Sequence, residues 1–206
     1  HPTSTKTGIV VMCIPSLLQP SQIRSNSSSI HCWTKLSTDS TANPQLEIAN
    51  AIVRQYGSCV PNIKLMARVN PSINDIKSSF TNQNLNPDSR ILFHYSQYGA
   101  SNITPQSITI HSSNATSYDQ YPIENVLTTT EKCSIHVIDC DNAGLLLPTY
   151  EEFVKTKNAQ QVKTDLFAFF SCGANEKLPR SPELPFDLFT SCITTPARTA
   201  LLWHSR

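Results

Sequence analysis

The chain has 206 residues, which is enough for one large domain or two small ones. A chain of this length can bury a core that needs no disulfide bonds or metal ions to be stable. Charged residues make up 15% of it, the formal net charge is +1, and no acidic or basic run occurs, so nothing indicates a nucleic-acid or membrane-surface partner. No run of about 18 apolar residues is present, and no transmembrane helix is predicted.

The seven cysteines and five glycines restrict the chemistry further. The cysteines are odd in number and far apart, and none forms a Cys-x-x-Cys pair, which argues against a zinc site and a disulfide framework. Most lie in apolar runs, which is typical of reduced core thiols in a reducing cytosol. No glycine-rich phosphate loop follows a predicted strand, which argues against a generic nucleotide-binding domain. We therefore expect neither a metal nor a cofactor.

The first predicted element is a strand over Gly8–Ile14, a continuous apolar run that Pro15 ends. Residues 1–7 before it are expected to form a flexible arm. Residues 15–43 are rich in Ser, Thr, Pro and Asn and predict a long loop region.

A helix follows, with Asn43 as its predicted cap and Pro44 in its first turn. Gly57 is placed to end it. Its apolar face repeats at helical spacing: Ala49, Ile52, Val53 and Tyr56.

Alternation over Ile63–Val69 predicts the second strand. A second helix opens at residues 70–71, Asn-Pro, and turns Ile73, Ile76 and Phe80 inward. The third predicted strand is Ile91–Tyr95.

Residues 101–130 are polar and less informative, with a short strand predicted at Ser107–Ile110 and a helical turn at Ile123–Leu127. The fourth core strand is predicted at Ser134–Asp139. A helix over Tyr150–Gln161, with Phe153 and Val154 inward, follows it.

The fifth predicted strand is Leu166–Phe170, whose three phenylalanines are interpreted as core. A loop punctuated by prolines covers residues 179–185. Asp187 is predicted to cap a last apolar helix that reaches Trp203, and Pro196 should kink or split that helix.

Alternation of strands and helices predicts one α/β domain with a mainly parallel sheet covered on both faces. Ligands and catalytic groups gather at the carboxyl ends of such strands. Three polar segments lie at those ends, namely residues 94–99, 139–144 and 171–173. A thiol at one strand end and an imidazole at its neighbour would form a Cys-His dyad, the arrangement of caspase-like peptidases.

Two of these strand ends carry a family resemblance. Residues 92–99 read Leu-Phe-His-Tyr-Ser-Gln-Tyr-Gly, close to Leu-Phe-His-Tyr-Asn-Gly-His-Gly of the amino-terminal conserved domain of the raptor family. Residues 138–144 read Ile-Asp-Cys-Asp-Asn-Ala-Gly, close to that family's Tyr-Asp-Cys-Ser-Asn-Ala-Gly. Residues 32–33 (Cys-Trp), 70–71 (Asn-Pro) and the run 184–196 resemble the family in the same order. The resemblance extends from Gly8 to the carboxyl terminus.

The resemblance implies a caspase-like three-layer α/β/α sandwich in residues 1–206. It also implies a non-catalytic scaffold domain of TOR complex 1 that recruits substrates with short TOR-signalling motifs and presents them to the TOR kinase. The chain opens with His-Pro-Thr and no methionine, so we expect a fragment or a processed form. The resemblance implies that the full-length chain continues into helical repeats. A cytoplasmic location is implied, with recruitment to the lysosome or vacuole surface as part of the complex, and no insertion into the membrane.

The chain departs from the family pattern at a position that a Cys-His dyad would need for catalysis. Where the dyad histidine should stand, the chain has Tyr98, and a phenol with a pKa of about 10 is a poor base for a thiol. His94 lies four residues before Tyr98, roughly 13 Å away along the strand, and its side chain is expected to point to the other side of the sheet. Neither His111 nor His136 is better placed to act as the base for the thiol. Cys140 is therefore predicted to be a vestigial nucleophile.

The residues around Cys140 support that hypothesis. Asp139 and Asp141 flank the thiol, and nearby carboxylates raise a thiol pKa. Gln97 replaces a glycine and is expected to close the cleft. The predicted rim of the vestigial cleft is His94, Gln97, Gly99, Asp139, Asp141 and Asn142.

For the single residues we favour structural roles. Cys140 is interpreted as a partly buried structural thiol, His94 as a hydrogen-bonded core histidine, and Asn142 as bonding its own turn. Gly99 and Gly144 are assigned to tight backbone turns. The alternative hypothesis is a caspase-like cysteine peptidase with Cys140 as nucleophile and an unidentified base.

Overall fold

A five-stranded parallel sheet forms the centre of the computed structural model, which describes residues 5–13, 44–81, 89–97, 103–111, 118–130, 133–160, 165–179, 181, 183–184 and 186–205. The strands, numbered in chain order, are β1 (Thr5–Cys13), β2 (Lys64–Val69), β3 (Arg90–Gln97), β4 (Ser107–His111), β5 (Tyr118–Pro122), β6 (Cys133–Asp139) and β7 (Asp165–Phe170). The order in the central sheet is β2-β1-β3-β6-β7, and every neighbouring pair is parallel. Strands β4 and β5 form a separate antiparallel pair.

The described residues also form six α-helices and one 3₁₀ turn, Ala143–Leu146. Among them, no helix combines the length and the apolar character needed to cross a bilayer. The helices are α1 (Pro44–Cys59), α2 (Ile73–Thr81), α3 (Ile123–Thr129), α4 (Leu147–Ala159), α5 (Leu188–Thr194) and α6 (Pro196–His204).

Two apolar clusters pack on the two faces of the sheet. On the front face, side chains such as Phe93, Tyr95 and Ile138 pack against α2, α3, α4 and the β4–β5 pair. On the back face, Val10 and Met12 pack against α1 and the segment before α5. Successive strand residues point to opposite faces, so β1 contributes Val11 to the front cluster and Val10 to the back-face cluster. The predicted three-layer α/β/α fold with a mainly parallel sheet is confirmed.

The five predicted core strands and most predicted helices are confirmed, with shifted ends. Strand β1 begins at Thr5, so residues 5–7 of the expected arm belong to the sheet. Helix α1 runs two residues past Gly57, whose surroundings are open and impose no stop. Helix α4 begins three residues before Tyr150, with proline in its first turn. The predicted cap Asn43 and the loop region 15–43 lie outside the described residues.

The interpretation of all three β7 phenylalanines as core is wrong. Phe170 packs against the front cluster, but Phe167 and Phe169 are 48% and 56% exposed. They point to the back of a strand at the edge of the described sheet, and the back-face cluster takes no residue from β7. The Arg90 guanidinium lies over the Phe167 ring, 5.3 Å from its centroid.

The predicted cap and break of the last helix are confirmed. The Asp187 carboxylate accepts the Thr190 backbone N–H at 2.9 Å and begins α5. The run then divides at Thr195, and α6 starts with Pro196. Trp203 on α6 is 72% exposed.

Candidate functional site

The carboxyl ends of β6 and β7 are joined at Cys140, the first residue after β6. The Ser171 hydroxyl lies 3.1 Å from both the nitrogen and the oxygen of Cys140. It accepts the Cys140 N–H and donates its own proton to the Cys140 carbonyl. The structure therefore brings together two of the three predicted strand-end segments.

The Cys140 side chain is inaccessible. It is 0% exposed and belongs to the front cluster together with Ala143 and Leu146. A nucleophile must reach its substrate, and a thiolate is disfavoured in apolar surroundings. The arrangement fits a structural thiol, and the thiol is more deeply buried than the sequence indicated.

The turn after Cys140 depends on an unusual backbone conformation at Asn142. Its φ of 61° lies in the left-handed region, which asparagine tolerates better than most residues. Its side-chain amide donates to the Ala174 carbonyl at 2.9 Å, and its N–H donates to the Glu176 carbonyl at 2.8 Å. The expectation that Asn142 bonds its own turn is therefore wrong, because its side chain holds the loop after β7.

Gly144 allows that loop to approach closely. A Cβ at this position would lie 2.7 Å from the Ala174 nitrogen and 2.9 Å from the Gly173 carbonyl carbon, both backbone atoms. The Gly144 N–H donates to the Cys172 carbonyl at 3.0 Å. Gly144 thus permits packing between two loops, whereas the tight turn itself is made by Asn142.

Asp141 anchors the far end of the same loop. Its Oδ1 accepts the Leu178 N–H at 2.8 Å, and both residues are buried. Within the loop, the Glu176 carboxylate accepts the Gly173 N–H at 2.7 Å. Residues 171–178 therefore form a hydrogen-bonded cover over the Cys140 turn.

Gln97, the last residue of β3, is buried on the front face. Its Oε1 lies 3.1 Å from the Tyr95 hydroxyl, which also lies 2.6 Å from the Thr109 carbonyl on β4. Burial raises the pKa of Tyr95, and the neighbouring Cys13 and Cys140 thiols add to the effect. The phenol keeps its proton, and this end of the front face is filled by Tyr95 and Gln97.

His94 lies on the back face, away from Cys140. Its Nδ1 is 2.8 Å from the Tyr56 hydroxyl on α1. Burial, and secondly the charge of Asp139, raise the pKa of Tyr56 above its usual value, so the phenol keeps its proton. The expectation of a hydrogen-bonded core histidine pointing away from the thiol is confirmed.

Asp139 is on the back face as well. Its Oδ2 lies 2.6 Å from the Thr190 hydroxyl and 3.8 Å from the His94 Nε2. The same hydroxyl is 2.9 Å from the Asp187 carboxylate that caps α5. Placing His94 and Asp139 on the rim of one cleft with Cys140 was therefore wrong, since residues adjacent in a strand point to opposite faces.

The other buried histidine, His136, shares the front face with Cys140. Its Nε2 lies 2.9 Å from the Thr130 hydroxyl and its Nδ1 lies 2.9 Å from the Tyr150 hydroxyl. Burial lowers the pKa of His136 to about 3, so the ring is neutral. Both ring nitrogens are occupied, which leaves none to activate Cys140.

Tyr98 and Gly99 lie outside the described residues, as does the His111 side chain, so the substitution of tyrosine for the dyad histidine stays a prediction. In the described part of the chain, no group of three or more His, Cys, Asp and Glu side chains is arranged to hold a metal ion. Sequence reasoning missed Thr190 as the partner of Asp139. Its position three residues after the cap Asp187 was the available signal.

A family model described as "Raptor N-terminal CASPase like domain" matches residues 3–150. The chain is 29% identical over 209 residues to "Regulatory-associated protein of TOR 1" of Arabidopsis thaliana, covering 98% of this chain and 16% of that protein. It is 25% identical over 206 residues to "Target of rapamycin complex 1 subunit mip1" of Schizosaccharomyces pombe, covering 92% and 15%.

Among solved structures, the crystal structure of Chaetomium thermophilum Raptor matches with a TM-score of 0.79 and 26% sequence identity. The match covers 96% of this chain and 18% of that one. The chain thus spans less than a fifth of the proteins it resembles.

Proposed function

Because the chain belongs to the family of raptor amino-terminal caspase-like domains, we propose that it is a non-catalytic scaffold domain of TOR complex 1. In this role it recruits substrate proteins that carry short TOR-signalling motifs and presents them to the TOR kinase. The names of two relatives, as a regulatory-associated protein of TOR and a TOR complex 1 subunit, support the assignment.

The burial of Cys140 is the observation that supports a non-catalytic role. The thiol is enclosed by the front cluster, and residues 171–178 cover its turn. His94 is held on the opposite face by Tyr56, and both nitrogens of His136 are engaged. Tyr98 completes the proposal, since a phenol in place of the dyad histidine is a weak base at neutral pH.

We also propose that residues 1–206 form a single domain of a longer chain that continues into helical repeats. The small share of each relative that the chain covers supports this reading. The proposed location is the cytoplasm, with recruitment to the lysosome or vacuole surface through the complex and no insertion into the membrane.

An affinity pull-down of the full-length protein from its own cells, analysed by mass spectrometry, tests the scaffold role. We expect a TOR-type kinase among the recovered proteins. A Cys140→Ala variant should recover the same kinase in the same amount, because the buried thiol cannot contact a partner. Recovery of no TOR-type kinase by the unaltered protein would overturn the proposal.

An electrophilic peptide probe tests the absence of peptidase activity. In the folded chain we expect labelling at the exposed thiols Cys59 and Cys192 and none at Cys140. After denaturation Cys140 should react as well, which confirms that the thiol is intact. Labelling of Cys140 in the folded chain, absent from Cys140→Ala, would instead favour the caspase-like peptidase.

A further inference from the structure

A groove of about 440 Å³ runs between α3 and α4, apart from the Cys140 turn. Its volume lies within the range of about 300–1,000 Å³ that is usual for ligand sites. Helix α4 contributes residues at positions i, i+3, i+4 and i+7 from Thr149, which is one face of the helix. The groove is therefore built from two helix faces and the turn that precedes them.

One end of the groove is fixed by hydrogen bonds. The Thr149 hydroxyl donates to the Pro105 carbonyl at 2.5 Å, and the Ile123 N–H donates to the Gln106 carbonyl at 3.0 Å. These two bonds tie the starts of α4 and α3 to the same turn. A groove with such walls is largely preformed, which lowers the entropy cost of binding.

The floor of the groove is apolar. Leu127 of α3 lines the groove but is only 1% exposed, so the apolar surface comes from other lining residues, among them Phe153 of α4, which also packs against the front cluster. The Lys157 ammonium lies over the Phe153 ring, 5.3 Å from its centroid. Side chains of this kind receive an apolar group of a ligand.

Two carboxylates give the groove its charge. Glu124 follows Ile123 directly, and Glu152 lies three residues after Thr149, so both are close to the fixed turn. Both are exposed, and within the described part of the chain neither is paired with a cation. Lys157 lies about 7.5 Å further along the α4 axis than Glu152, which makes the turn end of the groove the acidic end.

We propose that this groove binds a short extended peptide segment carrying an arginine or lysine next to an apolar side chain. The cation lies between Glu124 and Glu152, and the apolar side chain lies beside Phe153. An acidic peptide is disfavoured because both carboxylates would repel it. The inference is independent of the TOR-complex assignment, because a failed kinase pull-down leaves the groove unchanged.

Fluorescence anisotropy with three labelled nonapeptides tests the proposal on the 206-residue chain. The first probe is Gly-Ser-Leu-Arg-Ser-Leu-Arg-Ser-Gly. The second replaces each arginine with glutamate, and the third replaces each leucine with serine. We expect saturable binding of the first probe and at least about tenfold weaker binding of the other two, with a loss of affinity at high salt.

Matched variants locate the binding. Glu152→Gln should raise the Kd of the first probe about threefold, which is the size of effect expected for an exposed ion pair. The double variant with Glu124→Gln and Glu152→Gln should raise it about tenfold. Glu151→Gln is the control, since Glu151 is an exposed carboxylate of the same helix outside the groove lining. Its Kd should match that of the unaltered chain.

Three outcomes would overturn the proposal. The first is no binding of the basic probe, and the second is equal binding of the acidic probe. The third is a dimer by light scattering that Glu152→Gln converts to monomer, which would make a second copy of the chain the occupant.

Discussion

Two buried histidines on opposite faces of one sheet have different partners. On the front face, His136 contacts the hydroxyls of Thr130 and Tyr150 and lies near aromatic rings. On the back face, His94 contacts the Tyr56 hydroxyl and lies 3.8 Å from the Asp139 carboxylate. The front face, which carries the buried Cys140 thiol, is a mainly apolar core, whereas the back face holds a network of buried polar groups.

The back-face network joins the sheet to two helices that pack on its back face. Tyr56 belongs to α1, His94 and Asp139 to neighbouring strands, and Thr190 to α5. A partly satisfied buried polar network costs more than an apolar core, so its members must stay together. The comparison teaches that burial alone does not make a catalytic base, and that the geometry of the partners decides the role of each histidine.

Thr190→Val should have the largest effect, because it removes the closest donor to the buried Asp139 carboxylate. We expect a loss of about 3 kcal/mol in the free energy of unfolding, measured with urea. Thr194→Val is the control, since the Thr194 hydroxyl only bonds the Thr190 carbonyl of its own helix. It should cost less than about 0.5 kcal/mol. Equal losses would show that the network does not stabilise the back face.

Acid should destabilise the front face through His136. Its pKa of about 3 in the folded chain lies below its ordinary value of 6.5, so only the unfolded chain takes up a proton between these values. Stability from this histidine is therefore present above pH 6.5 and falls as the pH is lowered toward 3. Between pH 7.5 and 5 we expect a loss of about 2 kcal/mol.

Paired urea titrations of His136→Gln at pH 7.5 and 5 check this cause. That variant should lose about 2 kcal/mol less between the two pH values than the unaltered chain. His204→Gln, which changes an exposed histidine, should keep the full dependence. An unchanged dependence in His136→Gln would assign the acid sensitivity to other groups.

Gly144→Ala tests the cover over the front face. The added methyl group meets backbone atoms of the 171–178 loop at 2.7 Å and 2.9 Å, so we expect a loss of about 1.5 kcal/mol in the free energy of unfolding. Gly57→Ala is the matched control. It lies in α1 with nothing within 4 Å of the new Cβ and should stabilise the chain by about 0.5–1 kcal/mol. Similar effects of both changes in thermal unfolding would contradict the close packing at Gly144.

Tyr56→Phe should have the smallest effect. It removes one hydrogen bond to His94 and keeps the ring, so the expected cost is about 1 kcal/mol in the free energy of unfolding. The nitrogen shifts of His94 in NMR spectra should change, while those of His136 should not. A change confined to His136 would contradict the assignment of Tyr56 to the back face.

The sequence predicted the sheet because its strands are local patterns. Continuous apolar runs such as Gly8–Ile14 and alternating runs such as Ile63–Val69 need no partner to be recognised. The cap at Asp187 and the break at Pro196 were also local signals. Phe167 and Phe169 were misjudged because an apolar run does not show which helix covers which part of a sheet.

The site was less predictable because its contacts are long-range. Tyr56 and His94 are 38 residues apart, Cys140 and Ser171 are 31 apart, and Asp139 and Thr190 are 51 apart. Spacing placed Cys140 at the correct strand end, and alternation suggested that His94 points away from it. Neither rule identifies a hydroxyl that arrives from a helix much later in the chain.

The strict alternation along β6 limits how this strand can change over evolutionary time. Its even-numbered positions carry His136 and Ile138 to the front, and its odd-numbered positions carry Asp139 to the back. Point substitutions alter one face at a time, which is a route by which catalytic side chains are lost while the fold persists. Inserting one residue would exchange the two faces and bury a carboxylate among apolar side chains. Inserting two residues would restore the faces but move the Cys140 turn about 7 Å from Ser171. The strand can therefore accept substitutions more readily than a change in its length.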